Sequence, residues 1–312
     1  MNNIHRIAIL GATSQIAKDL IVSFSSRKDK HLHLFARRPD VVRNWIASSK
    51  LIGAYQIDEF SEFGKQEFDA VINFVGIGNP AHALAMGSTI FDITLRFDEL
   101  VLGYLQKHTS CRYLFLSSGA VYGSNFKEPV TCDTKAVVTI NNLEPHEWYG
   151  VAKLHAESRH RAFSNLNIVD IRVFNYVSSS QDIEARFLIS DILRAIRDKT
   201  LLETSPDDIV RDFLHPSDFY QLVSSILSAS PANTSVDCYS RAPINKKQLL
   251  IAMQENFGLS YEIKEKLIII NATGNKSHYY SLNKKAEDFG YFPNITSLDG
   301  VLQESRKILN IS

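Results

Sequence analysis

Tyr149 and Lys153 stand four residues apart in the run Tyr149-Gly150-Val151-Ala152-Lys153. On a helix that spacing puts both side chains on one face. A phenol beside an ammonium ionises more easily, because the neighbouring positive charge favours the tyrosinate. Such a phenol can give or take a proton near neutral pH. The pair alone decides little, since any helix with a buried tyrosine and a surface lysine shows it. Its meaning depends on what must position it and on what stands upstream.

The run Arg6–Leu10 (RIAIL) reads as a strand that ends at Gly11. Gly11-Ala12-Thr13-Ser14-Gln15-Ile16-Ala17 follows, and helical periodicity continues from Lys18. Strand, glycine turn and helix is the context a dinucleotide site needs, with small residues where backbone meets pyrophosphate and a helix N-terminus facing the anion. Only Gly11 is a glycine here, so an ordinary strand-to-helix turn would look the same. His31–Phe35 (HLHLF) reads as the second strand, followed by Ala36, Arg37 and Arg38. An acid at this place suits the ribose hydroxyls of NAD, whereas arginine suits the 2′-phosphate of NADP. The reading is NADP(H) ahead of NAD(H). Residues 51–56 read as a third strand with Asp58 just after it, and 70–74 (AVINF) as a fourth that opens into Val75-Gly76-Ile77-Gly78-Asn79-Pro80. Helical periodicity over 90–107 leads to a fifth strand at 112–116 and then Ser117-Ser118-Gly119-Ala120-Val121-Tyr122-Gly123. Residues 167–171 read as the sixth. Strands alternating with helices predict a Rossmann-type α/β fold, a doubly wound parallel sheet.

Composition bounds the rest. The chain has 312 residues, 45% hydrophobic, with 34 Lys+Arg against 34 Asp+Glu. Neutrality gives no push towards nucleic acid or an anionic membrane. Cys111, Cys132 and Cys238 are odd in number and far apart, which fits reduced thiols and no metal site. The N-terminus runs straight into the first strand and no apolar run is long enough to span a bilayer, so a cytoplasmic protein is expected.

The ordered set of motifs resembles the extended short-chain dehydrogenase/reductases, in the nucleotide-sugar branch of the NAD-dependent epimerase/dehydratase family. The matching residues are GATSQIA at 11–17, NFVG at 73–76, SSGAVYG at 117–123, YGVAK at 149–153 with LHAE after it, IRVFN at 171–175 and RDFLHPSD at 211–218. YSRAPINKKQLL at 239–250 looks like the strand and helix that follow, and LNKKAEDFGYFP at 282–293 like the family's C-terminal segment. The resemblance implies a catalytic trio: Tyr149 as acid/base, Lys153 lowering its pKa and holding the nicotinamide ribose, and Ser118 bonding the reacting oxygen. It implies cofactor contacts from Gly11, Thr13, Ser14, Gln15, Ile16, Arg37, Arg38, Asp58, Phe74, Val75, Gly76, Ser117 and Phe174, besides Tyr149 and Lys153. It implies a nucleotide-sugar substrate held by Ser118, Asn175 and Arg211, and a homodimer packed through two helices near 90–107 and 149–163.

Absences narrow the member. The family's 4,6-dehydratases carry an acid pair where Gly119 and Ala120 stand here, so dehydration is not expected. The resemblance then implies NADPH-dependent reduction of a nucleotide-linked keto-sugar, a 4-keto-6-deoxy hexose. A 4-epimerase of the same substrate class, a reductase of a non-sugar ketone and a non-catalytic dinucleotide binder stay open. The second phosphate-binding arginine of the family has no match; Asn271 falls about there with Lys276 close by. Arg186 and His278 are further candidate contacts, and Asp212 and His215 read as structural. The expected organisation is a dinucleotide-binding part over 1–175 plus about 211–240, and a substrate part over about 176–210 plus 241–312.

Overall fold

The computed structural model describes residues 5–76, 85–185, 187–265 and 276–311. Residues 77–80 of the glycine-rich stretch, Arg186 and Asn271 lie outside the described residues. Seven parallel strands form one sheet: β1 Arg6–Leu10, β2 His31–Phe35, β3 Ala54–Asp58, β4 Ala70–Asn73, β5 Arg112–Ser118, β6 Ile168–Val173 and, later in the chain, β7 Asn233–Asp237. Across the sheet their order is β3-β2-β1-β4-β5-β6-β7. This is the doubly wound α/β sheet the alternation predicts.

The strands read as near-continuous apolar runs because both faces are covered. Alternation still assigns each side chain to one of two cores. Ile7, Ile9, Leu32, Leu34 and Ile72 pack on one face with Leu20 and Ile21 of helix α1 (Gln15–Phe24). Ala8, Leu10, Phe35, Val71 and Phe115 pack on the other with Val101, Leu102 and Leu105 of the long helix Thr89–Leu105 and Ala156 of the helix Trp148–Ala162. A third core gathers Ile192 and Leu193 of helix Leu188–Asp198, Leu249 and Met253 of helix Lys246–Phe257, and Val301 of helix Ser297–Leu309.

Two expectations move. The third strand starts at Ala54, not at residue 51, because its register is set by β2, from Ala54 opposite His31 to Asp58 opposite Phe35. Asp58 therefore ends the strand instead of following it. The strand expected at the start of 239–250 is displaced: β7 lies earlier, at Asn233–Asp237, and only the two-residue strand Ile244–Asn245 precedes helix Lys246–Phe257. The NTSVD run of β7 has no apolar alternation to mark it, and its strand form comes from pairing with β6. Among the described residues, no helix is long and apolar enough to cross a membrane.

Candidate active site

The site forms at the C-terminal ends of β1, β4 and β5, where the order reverses between β1 and β4. In open α/β sheets that crevice takes the ligand. Gly11 turns there with φ +79°, and a Cβ at this position would lie 2.9 Å from the Val75 nitrogen and 3.0 Å from the Phe74 carbon. Only glycine permits both the left-handed turn and the close approach. Ser14 caps α1, its hydroxyl accepting from the Ala17 amide at 3.3 Å. The helix N-terminus is thereby aimed at the crevice, as a diphosphate requires. Thr13 is exposed and Ile16 packs on the core. Gln15 donates to the Ser178 hydroxyl at 2.9 Å. These residues fit a nicotinamide dinucleotide.

At the end of β2, Arg37 and Arg38 are exposed, and neither has a carboxylate partner among the described residues. The acid of this region, Asp58, is occupied: it bonds His33 at 2.8 Å and accepts from the Gln56 amide at 2.9 Å. His33, stacked on Phe35 with centroids 4.0 Å apart, is held below its usual range by burial, against the pull of Asp58.

β5 delivers two serines to opposite sides. Ser117 donates to Glu157 at 2.6 Å, and Glu157 also takes Arg172 at 2.5 Å. The Ser117 hydroxyl thus serves a buried network behind the sheet. Ser118 faces forward and accepts from the Ala120 amide at 3.2 Å. Gly119 follows because nothing larger fits: a Cβ there would lie 2.4 Å from the Phe174 ring. The first acid of a dehydratase's pair has no room at 119.

Tyr149 and Lys153 lie on the helix Trp148–Ala162, as their spacing predicts. Lys153 is buried and donates to the Leu116 carbonyl at 2.8 Å, with its nitrogen 4.3 Å from the Phe115 ring centroid and 5.9 Å from that of Tyr149. Gly76 closes over it: a Cβ at 76 would stand 3.2 Å from the ammonium. Burial brings Lys153 down to about 8, against the pull of Asp98, Glu157 and Asp170. The Tyr149 phenol stands above its usual range, not below it. Burial is the main cause, the Tyr279 phenol adds to it, and a hydrogen bond with Ser118 opposes both. Without a ligand, Tyr149 is therefore a protonated donor at neutral pH.

Asn175 and Arg211 are brought to the same end of the molecule. The Asn175 amide donates to the Asp212 carbonyl at 3.2 Å and the Tyr279 carbonyl at 3.1 Å. Arg211 bonds the carbonyls of Val210 (2.8 Å) and Ser277 (3.3 Å), and burial lowers it to about 10. It has no carboxylate partner among the described residues; Asp207 is turned to Ser205. Asp212 is fixed by the Ser240 amide and Ser297, and His215 by Ser217 and Glu304. His278 and Tyr279 form a short strand beside Val210–Arg211.

Sequence reasoning missed Tyr279. Its hydroxyl lies 3.3 Å from that of Ser118, across 161 positions of sequence. No local pattern marks it, because only the folding of the C-terminal segment onto the sheet brings it there.

Comparison with known proteins agrees with the fold. The sequence pattern of the NAD dependent epimerase/dehydratase family matches residues 7–238. A UDP-glucose 4-epimerase of Oryza sativa subsp. japonica is 30% identical over 121 residues, 38% of this chain and 31% of that protein. The match thus spans less than a third of that relative's length. Among solved structures, a UDP-glucose-4-epimerase from Stenotrophomonas maltophila with bound NAD and formylated UDP-arabinopyranose gives a TM-score of 0.80 at 15% identity, covering 99% of this chain and 98% of that one. A UDP-glucuronic acid 4-epimerase from Bacillus cereus with UDP-glucuronic acid and NAD gives 0.78 at 15% identity, covering 98% and 100%. At such identity the likeness is one of fold.

Proposed function

The chain belongs to the NAD dependent epimerase/dehydratase family, and from that premise we propose that it reduces the carbonyl of a nucleotide-linked keto-sugar, a 4-keto-6-deoxy hexose, with NADPH. The observation that carries the reading is the end of β2, where two exposed arginines, without acid partners among the described residues, stand where a ribose-binding acid would favour NAD. The closed turn at Gly119 supports it by leaving no room for the first of a dehydratase's two acids. A 4-epimerase is the second reading, and the NAD in the solved relatives favours it.

In this reading the bound dinucleotide supplies a hydride to the carbonyl carbon. Tyr149 donates its proton to the carbonyl oxygen, and Ser118 holds that oxygen by its hydroxyl as charge develops on it. Lys153 orients the nicotinamide ribose and steadies the tyrosinate left behind. Arg211, half-buried and without a carboxylate partner among the described residues, takes the substrate diphosphate, with a guanidinium geometry suited to it. Asn175 orders the backbone beside it. Residues 176–210 and 241–312 make up the substrate side, and the protein works as a cytoplasmic homodimer packed through Thr89–Leu105 and Trp148–Ala162.

The test is turnover of nucleotide-linked 4-keto-6-deoxy hexoses with NADPH. One alcohol per NADPH is expected, with Tyr149→Phe at least about 100-fold slower while dinucleotide binding is kept. Full activity in the variant would sink the mechanism. Interconversion of UDP-sugar epimers without NADPH consumption would hand the reading to the epimerase.

A further inference from the structure

Ser118 stands between two phenols. Tyr149 reaches it from the helix Trp148–Ala162. Tyr279 reaches it from the C-terminal segment at 3.3 Å. That contact is long for a hydroxyl pair, as catalytic hydrogen bonds commonly are before substrate binds. Each phenol has its own lysine: Lys153 lies 5.9 Å from the Tyr149 ring centroid, and Lys276 lies 4.3 Å from that of Tyr279. Tyr279 is fixed by more than chance packing. Its carbonyl takes the Asn175 amide, its strand pairs with Val210–Arg211, and its ring meets Phe126 edge-on at 4.7 Å.

The two lysines differ in what they face. Lys153 is sealed beneath Gly76 and bonded to the Leu116 carbonyl. Lys276 makes no ion pair with a carboxylate among the described residues. Burial, and then the charge of Arg211, bring it down to about 8. It lines a cleft with Ala120, Val121, Ser124, Val137 and Gly150. Val137 is 60% exposed, so this cleft reaches the surface.

Reduction of a carbonyl has a proton balance that epimerisation lacks. The carbon gains a hydride, which carries both reducing electrons, from the reduced dinucleotide, and the oxygen gains one proton from Tyr149. That proton leaves with the alcohol, so each turnover must draw one from solvent. A 4-epimerase that oxidises and then reduces the same carbon returns its proton and needs no such supply. We propose that Ser118 and Tyr279 form the path that reloads Tyr149 from the Lys276 cleft. The Tyr149 phenolate takes the Ser118 hydroxyl proton, Ser118 takes that of Tyr279, and Tyr279, whose hydroxyl meets the backbone of Ala120 on the cleft wall, is reprotonated by water there. The Lys276 ammonium over its ring stabilises the intervening phenolate. The proposal rests on the reductase reading and adds to it the route of the consumed proton.

The test separates the first turnover from those that follow. In Tyr279→Phe the ring and its packing stay and only the hydroxyl goes. With NADPH and a nucleotide-linked 4-keto-6-deoxy hexose, the first turnover is expected at the wild-type rate, because Tyr149 starts loaded. Later turnovers are expected to slow about tenfold or more, with a larger solvent isotope effect. Lys276→Met is expected to show the same split to a smaller degree. Equal slowing of first and later turnovers, or no slowing, overturns the path while leaving the reductase intact. A wild-type protein that takes up no proton per turnover overturns the reductase reading and the path with it. One readout needs no turnover: in the protein alone, a water-soluble acylating reagent is expected to label Lys276. Complete protection, found by peptide mass spectrometry, overturns the solvent end of the path.

Discussion

At Gly119 a missing side chain sets the chemistry. The Cβ of any other residue would enter the Phe174 ring, and Phe174 is itself buried against Val121, Tyr122 and Phe126. Gly119→Ala is therefore expected to cost about 1–3 kcal/mol, the usual range for overpacking. Thermal unfolding of the variant checks it, and Gly119→Ala with Phe174→Leu is expected to recover part of the loss. A variant as stable as the wild type would show that the turn is not closed. The sequence displayed the absent acids at 119 and 120 but not the reason at 119, which is a ring 55 positions away. Tyr149, Lys153 and Ser118 were legible because their spacing and strand-end setting are local. Tyr279 was not, because its place depends on where the chain returns.

The helix Trp148–Ala162 buries a polar stripe, with Lys153, Glu157 and His160 at helical spacing. His160 bridges Asp170 at 2.6 Å and Asp98 at 2.7 Å, with all three side chains fully buried. It thereby ties this helix to β6 and to the helix Thr89–Leu105. Burial works against its charge, but the two aspartates win and raise it to about 9. The imidazolium form is thus favoured in the folded protein. Its contribution is full below the unfolded value of about 6.5 and is lost as pH rises to about 9. Above about 8, Lys153 and Lys276 act with the opposite sign, since both are lowered to about 8 in the folded chain. The fall in stability is therefore expected to be clearest between about pH 6.5 and 8. His160→Leu leaves buried carboxylates short of a partner and is expected to cost about 3–5 kcal/mol at pH 6, with a flatter profile over that window. Denaturant unfolding across pH measures both; parallel profiles for variant and wild type would remove His160 as the cause. This stripe shows how a sequence misleads at the level of elements: the helix has little apolar periodicity because its inner face carries charge.

For the molecule as a whole, cofactor choice is the property most open to measurement. A ligand that binds only the folded chain adds about 2.7 kcal/mol at a hundredfold excess over its Kd, which is several degrees of thermal midpoint for a chain of this size. NADPH is expected to raise the midpoint more than NADH, and Arg37→Ala with Arg38→Ala to erase the difference. Equal shifts in the wild type would remove the argument from the two arginines. The parallel sheet and the strand runs that build both of its cores could be read in advance. The edge could not, since β7 is a polar strand that exists by pairing.

That edge strand has a consequence for how the chain is made. The first six strands leave the ribosome in sequence, yet the seventh follows only after the segment that begins with Asn175–Tyr176 and runs through helix Pro216–Ser228. Until then the outer edge of β6 offers unpaired amides and carbonyls, the kind of surface that recruits other unfinished chains. Tyr122 and Arg172 wait as well, since Asp237 at the end of β7 bonds the first at 3.0 Å and pairs with the second at 3.5 Å. Synthesis past residue 237 is thus the moment at which the sheet stops being an adhesive half-product.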